Sequence, residues 1–224
     1  MENNFPTIVF MRHGERGDCV IPSIESELEF DPILTENGKN QVRTAARFLT
    51  ENFFQNQISN IEIYSSPLIR CLESSSIIMD EFHIDNKSII ISNLLLEFLA
   101  PQYFPVDPIK ECLIKVKQKN EILQNFTRNI DYKDDNNKEF IKFPESLEEC
   151  KTRFYHCYDY FSKEAIMKTK IVILVSHGIV FDFFPSYFHV IPSPYSLVPY
   201  AAISMIQFDG KDWKLRLSGY RAWK

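Results

Sequence analysis

The sequence predicts an α/β fold: three layers, α/β/α, with a mostly parallel sheet and helices on both faces. Short apolar runs alternate with helical stretches along the chain, the order that builds a parallel sheet. The runs at 8–11 (IVFM) and 171–175 (IVILV) are apolar at consecutive positions, as in strands buried on both faces. Each of these two runs leads into a His-Gly pair, in Arg12-His13-Gly14 and Ser176-His177-Gly178. Both pairs thus fall at the carboxyl ends of strands, where open α/β sheets bind ligands.

Taken in order, Phe5 to Met11 reads as the first strand. Thr35 to Phe54 reads as a helix: Thr35 caps its start, and Val42, Ala45, Ala46, Leu49 and Phe53 form one apolar stripe. Ile61 to Tyr64 is a second strand. Ser66-Pro67 supplies an N-cap and a proline for the first turn of a helix reaching about Phe82. Ser88 to Ser92 is a third strand. Asp131 to Lys142, rich in charge and Asn, reads as a solvated loop, and Glu145 to Met167 as a long amphipathic helix. Lys170 to Val175 is a fourth strand, followed by a polar turn and a helix. Ala201 to Phe208 and Trp213 to Leu217 pair as a hairpin around Asp209-Gly210.

Composition narrows the function. With 224 residues, 45% of them hydrophobic, the chain can bury a full core. A formal net charge of −5 argues against a broad electrostatic grip on nucleic acid while leaving room for a small cationic pocket. The apolar stretch 171–191 is interrupted by Ser176-His177-Gly178, Asp182 and Pro185, so it reads as strand, turn and helix, and no membrane partner is expected. Five cysteines form no C-x-x-C pair, and MENNFPTIVF does not read as a signal peptide. The expectation is therefore a reduced, cytoplasmic protein, in which the glycosylation patterns at Asn86 and Asn125 occur by chance. Cys150 and Cys157, with His156 beside them, would make only an incomplete zinc site, so core packing accounts for them. His83, His156 and His189 have no flanking phosphate ligands and read as structural.

The chemistry gathers around the two His-Gly motifs. In Arg12-His13-Gly14-Glu15-Arg16 two guanidinium groups flank an imidazole. Guanidinium forks match phosphate oxygens, and a neutral imidazole can attack phosphorus. Leu34-Thr35-Glu36-Asn37-Gly38 with Gln41, then Ser65-Ser66-Pro67-Leu68-Ile69-Arg70, then Ser176-His177-Gly178 follow in sequence. This ordered set resembles the histidine phosphatase superfamily, the phosphoglycerate-mutase-like proteins, from Phe10 to about Phe184, and weakens over Pro101 to Lys142. Arg-His-Gly-Glu-Arg with Asp18, Phe30-Asp31-Pro32 and Val198-Pro199-Tyr200 is most similar to the subgroup containing the phosphatase domain of the suppressor-of-T-cell-receptor-signalling proteins. The resemblance implies one histidine phosphatase domain over 1–224, with a variable insertion at about 98–145 near the active site.

The resemblance also implies roles. His13 would be the nucleophile and form a phosphohistidine. Arg12, Arg16 and Arg70 would clamp the transferring phosphoryl group, with His177 as a further donor and Gly178 allowing close backbone approach. No metal or other cofactor would be required. Glu97, in Leu94-Leu95-Leu96-Glu97-Phe98, falls where the mutase-like branch keeps its general acid; Glu15 and Asp31 are the alternatives. The substrate would be a phosphorylated small molecule or a phosphoprotein, with inorganic phosphate or vanadate as ligands, and relatives that dimerise leave a homodimer open. A mutase is the alternative reaction, but those enzymes carry Ser and Asn where Arg16 and Cys19 stand, and Glu-Arg-His-Tyr where Glu97 is followed by Phe98-Leu99-Ala100. A non-catalytic phospholigand-binding scaffold is the alternative class. Phe98, Tyr103 and Phe104, next to the expected acid, suit an aryl leaving group.

Overall fold

The computed structural model describes residues 5–19, 30–54, 58–84, 87–110, 129–132, 138–192, 194 and 197–223. Seven strands form one sheet: β1 (Thr7–Arg12), β2 (Ile61–Ser65), β3 (Ser88–Ile91), β4 (Asn129–Tyr132), β5 (Ile171–Ser176), β6 (Ile203–Phe208) and β7 (Trp213–Tyr220), in the spatial order β4-β3-β2-β5-β1-β6-β7. The first five lie parallel to their neighbours in that row, whereas β6 runs antiparallel to both β1 and β7. Four helices pack on the sheet: α1 (Glu36–Leu49), α2 (Ile69–Phe82), α3 (Leu147–Lys168) and α4 (Ile179–Phe188).

Successive strand side chains point to opposite faces, and the core divides accordingly. Val9 and Met11 of β1, with Ile171, Ile173 and Val175 of β5, pack beneath α1 and α2. Ile8, Phe10, Val172 and Leu174 face the other way, against Phe154, Tyr158 and Phe161 of α3 and Phe184 of α4. β1 and β5 are covered on both faces and paired on both edges, which is why their apolar runs are unbroken. Their register sets Arg12 opposite Ser176. The His13 amide donates to the Ser176 carbonyl at 3.0 Å, so the two histidine motifs leave the sheet side by side.

The expected α/β architecture, the four parallel strands and the C-terminal hairpin are present. Some expectations need correction. Asp131 and Tyr132, read as the start of a loop, belong to β4, which extends the parallel row beyond β3; residues 133–137 of that stretch and 111–128 of the expected insertion lie outside the described residues. α2 starts at Ile69, capped by the Leu68 backbone, so Pro67 precedes the helix instead of opening it. The Ser66 hydroxyl, expected as the cap, accepts from the Leu68 amide at a long 3.5 Å and meets His177. α1 ends at Leu49, and Thr50–Phe54 continues as a wider π turn. α3 is capped by Ser146, whose hydroxyl accepts from the Glu149 amide while the Glu149 carboxylate accepts from Ser146. His83, Thr169 and His189 close α2, α3 and α4 in the left-handed conformation, with φ of 53°, 51° and 52°. In a chain with 6 glycines, these helix ends are formed without the residue that usually takes that shape. Cys150 and Cys157 are buried in the core, and His156 stacks on Phe140 with centroids 3.8 Å apart. Among the described residues, no helix is long and apolar enough to cross a membrane.

The loop after β1 lies directly on the start of α1. A Cβ on Gly14 would come within 2.4 Å of the Gly38 carbonyl oxygen, and one on Gly38 within 2.3 Å of the Glu15 oxygen. Both positions are therefore restricted to glycine by backbone contact. Gly38→Ala is expected to destabilise the protein by about 1–3 kcal/mol, a fall of roughly 2–10 °C in the melting temperature read by circular dichroism. Gly178→Ala is the control: its Cβ would meet Arg12 at an ordinary 3.6 Å, so stability should change by no more than about 0.5 kcal/mol. Equal melting of the Gly38→Ala and wild-type proteins would contradict the close approach.

Candidate active site

Arg12 ends β1, and His13 follows it into the loop. The Arg12 guanidinium donates from Nη1 to the Val198 carbonyl and lies over the Tyr200 ring, 4.2 Å from its centroid. His13 is buried, held by the Ser176 carbonyl on its amide and by the Ala201 amide, which donates to its carbonyl at 3.0 Å. Its Nδ1 lies 2.7 Å from the Gly14 carbonyl oxygen. A carbonyl can only accept, so the ring proton resides on Nδ1 and Nε2 keeps its lone pair. Burial, then the nearby guanidinium groups of Arg70 and Arg12, hold the His13 pKa well below the usual imidazole range. The ring is neutral at physiological pH.

Arg70, in the first turn of α2, is buried with Asp31 beside it: Nη1 is 3.5 Å from Asp31 Oδ1 and donates to the Phe30 carbonyl at 3.3 Å. Asp31 also accepts from the Ile69 amide at 2.7 Å, tying the aspartate to the helix start that carries Arg70. Arg16 makes a two-point contact with Asp18, Nε to Oδ1 at 3.0 Å and Nη2 to Oδ2 at 2.5 Å. Glu15 accepts from Thr35 Oγ1 at 2.8 Å and Asn37 Nδ2 at 3.1 Å, joining the loop to α1. Asp31 and Glu15, the alternative acids, are thus engaged in holding Arg70 and the loop. On the next turn of α2, Glu73 accepts from the Leu34 amide at 2.7 Å, and burial pushes its carboxyl up to about 7.

His177 follows β5 and is fully buried, its ring 5.3 Å from that of His13. Its Nε2 lies 2.9 Å from Ser66 Oγ and 3.5 Å from Cys71 Sγ. The Ser66 hydroxyl can either donate to Nε2 or accept from it. The other ring nitrogen, Nδ1, is 3.6 Å from Glu97 Oε2. Burial, then Arg70 and His13, depress the His177 pKa as well. Burial raises the Cys71 thiol far out of the physiological range, so it is an inert neighbour.

Arg12, Arg16, Arg70, Glu97 and Gly178 all line one cavity of about 480 Å³. His13 and His177 lie buried against each other and electrostatically coupled to these arginines. All seven residues singled out from the sequence therefore share one site. Several further residues that shape it were not singled out. Asp182, on the first turn of α4, lines the cavity, its carboxyl raised by partial loss of solvent against the opposing pull of Arg12; in the sequence it is only a charge inside an apolar stretch. Tyr200 and the Val198 carbonyl hold Arg12, although the sequence marks Val198-Pro199-Tyr200 only as a likeness. Arg153 and Glu145 form a buried ion pair behind Glu97. The one available signal was an arginine standing in the apolar stripe of α3, beside Cys150, Phe154 and Cys157. Among the described residues, no group of three or more His, Cys, Asp or Glu side chains could hold a metal ion.

No curated protein sequence matches the chain. Among solved structures, an ecdysone phosphate phosphatase from Bombix mori, in complex with tungstate, superimposes with a TM-score of 0.68 at 18% identity, covering 95% of this chain and 92% of that one. A phosphoglycerate mutase from Bacillus anthracis gives a TM-score of 0.62 at 18% identity, covering 96% and 93%. A mycobacterial glucosyl-3-phosphoglycerate phosphatase gives 0.58 at 16%, covering 95% and 98%. At these identities the likeness is one of fold. The sequence itself matches the model of the histidine phosphatase superfamily (branch 1) over residues 8–220, and on that match the chain belongs to this superfamily.

Proposed function

We propose that the protein is a phosphomonoester hydrolase that works without a metal ion, through a phosphohistidine on His13. The observation that carries this reading is the buried His13 ring, its proton fixed on Nδ1 by the Gly14 carbonyl and its Nε2 lone pair free of that bond, with burial and the charge of Arg70, Arg12 and Arg16 keeping it neutral. Nε2 attacks phosphorus, a nitrogen–phosphorus bond forms and the ester oxygen–phosphorus bond breaks. Arg12, Arg16 and Arg70 stabilise charge on the phosphoryl oxygens, so positioning and electrostatics supply most of the catalysis. As Nε2 is phosphorylated, the ring becomes cationic, and its Nδ1–H bond to the Gly14 carbonyl strengthens. Glu97 gives its proton to the leaving oxygen. It then takes one from water, which displaces the phosphoryl group and restores His13. His177 is a further donor.

Hydrolysis is favoured over mutase chemistry by Arg16, which with Asp18 forms a charged pair at the cavity edge, and by Phe98-Leu99-Ala100 after the acid. Arg16–Asp18 and the contacts of Val198 and Tyr200 to Arg12 support placing the chain nearest the R-H-G-E-R subgroup. The substrate is a phosphorylated small molecule or phosphoprotein, met in the cytoplasm. Phe30, Phe98 and Tyr103 line the cavity, which favours an aryl leaving group.

The wild-type protein should hydrolyse p-nitrophenyl phosphate in EDTA, and His13→Ala should lose at least about 10³-fold in kcat, as when a nucleophile is removed. Inactive wild type whose melting temperature still rises with phosphate or vanadate would instead indicate a binding scaffold. Comparing kcat/KM for p-nitrophenyl phosphate and a hexose phosphate should give a preference of about tenfold or more for the aryl ester, roughly 1.4 kcal/mol; a reversed preference would exclude an aryl-selective site. The pH dependence follows from His13. Its pKa is lowered, so the attacking neutral form persists as pH falls. After correction for ionisation of the ester, kcat/KM should show no loss with an apparent pKa near 6.5, the unperturbed imidazole value. An acid limb at that value would contradict a buried, neutral nucleophile.

A further inference from the structure

Glu97 lies beyond β3 on a segment that has left the sheet, after a short 3₁₀ turn (Asn93–Leu95). Backbone carbonyls buried outside a ladder need other donors. Here four in succession find them on two buried side chains. The Leu94 and Leu96 carbonyls each accept from Arg153 Nη1 at 2.9 Å, and the Glu97 carbonyl accepts from Arg153 Nη2 at 3.0 Å. The Leu95 carbonyl accepts from Ser176 Oγ at 2.8 Å. Arg153 Nε and Nη2 donate in addition to the Glu145 carboxylate, at 3.0 and 2.5 Å. Glu145 closes the far side: its Oε1 accepts from the Leu99 amide at 2.8 Å, and its amide donates to the Leu99 carbonyl at 3.0 Å. Each of the five guanidinium N–H donors has an oxygen partner.

From this geometry we infer that Arg153, oriented by Glu145, is the positioning residue for Glu97. The reading rests on Glu97 as the general acid, as proposed above. A guanidinium satisfied at all five donors is costly to bury and gains little for overall stability compared with a well-packed apolar side chain. What the planar fork does supply is a fixed spacing between the carbonyls of residues 94, 96 and 97. The Glu97 carboxylate is only partly buried, and its Oε1 accepts from the Phe98 amide of the same segment at 3.0 Å. The path of the backbone therefore decides where the carboxyl group stands relative to His177. A lysine at 153 could keep a cation against Glu145, but its single ammonium lacks the fork that spans the three carbonyls.

An acid matters most when the leaving group is poor, and that gives a readout that protein stability alone does not move. For each protein kcat is measured on one preparation with p-nitrophenyl phosphate, whose leaving group departs unaided, and with glycerol 2-phosphate, whose alkoxide needs a proton. The ratio of the two rates is independent of how much of the preparation is folded. Wild type sets the reference, and Glu97→Gln should lower the glycerol phosphate rate relative to the aryl rate by about 10²-fold or more. Arg153→Lys should shift the ratio in the same direction by about tenfold. Glu145→Gln, which is isosteric and keeps an acceptor for the Leu99 amide, should shift it by severalfold. Should Arg153→Lys give no folded protein, Glu145→Gln decides. A wild-type ratio in both Arg153→Lys and Glu145→Gln, or in Glu145→Gln alone if the lysine variant does not fold, would overturn the positioning role while leaving Glu97 as the acid. A wild-type ratio in Glu97→Gln would overturn the assignment of the acid, and the positioning role with it.

Discussion

Arg12, Arg16 and Arg70 raise a strong positive potential around two buried imidazoles, and that repulsion is the constraint to which the rest of the site answers. Desolvation magnifies it, because charges removed from water are poorly screened. The imidazoles respond by staying neutral. The arginines are each held by an acceptor of their own: Val198 and the Tyr200 ring for Arg12, Asp18 for Arg16, Asp31 and the Phe30 carbonyl for Arg70. Asp18 is local to Arg16, whereas the partners of Arg12 and Arg70 come from segments far away in the chain, so for these two folding assembles the counterweights with the cations.

The backbone solves a second problem, that of bringing loops together without a continuous ladder. β1 and β5 deliver His13 and His177 in register, which a parallel pair does without further help. The segment that carries Glu97 has no such neighbour. Its carbonyls are collected by Arg153 and Ser176 instead, the second of these belonging to the same Ser-His-Gly turn that carries His177. On the other side, the glycine pair Gly14 and Gly38 lets the nucleophile loop rest on the start of α1 at a distance no side chain permits. Rigid positioning of this kind counts heavily in phosphoryl transfer, where geometry and charge supply most of the rate.

Much of this was legible in the sequence, for reasons that differ by element. The central strands announce themselves because burial on both faces leaves no polar position to blur the pattern, and the amphipathic stretch from Glu145 marks α3 to within two residues of its start. Arg12, His13 and Arg16 are legible because their chemistry is local: Arg-His-Gly-Glu-Arg places two guanidiniums beside an imidazole within one turn. β4 was not legible, since Asp131 and Tyr132 carry polar character suited to the sheet's edge and gain their strand conformation from pairing with β3. The start of α2 was misplaced because Ser66, an ordinary capping residue by type, contacts His177 while the helix begins two residues beyond Pro67. Arg153 and Glu145 stayed hidden because their roles rest on backbone groups, the carbonyls of 94, 96 and 97 for Arg153 and the Leu99 amide and carbonyl for Glu145, that carry no identity in a sequence.

The low proton affinity of His13 and the affinity of the site for a phosphoryl group are two sides of one field. Cations that keep the imidazole neutral also draw its lone pair back and make it a weaker base, which by itself would slow attack. On the proposed mechanism, a phosphoryl dianion entering among the arginines would cancel part of that potential, so His13 would recover basicity as its target arrives. The coupling is reciprocal: whatever the anion adds to the proton affinity of His13, a proton on His13 adds to the affinity for the anion. The protonated ring, however, has no lone pair on Nε2 with which to react. A site built of permanent guanidinium charges with a neutral, tautomer-locked imidazole keeps the binding charge and the reacting lone pair on different side chains. Anion capture by Arg12, Arg16 and Arg70 therefore does not require a protonated His13, although a proton there would add to it.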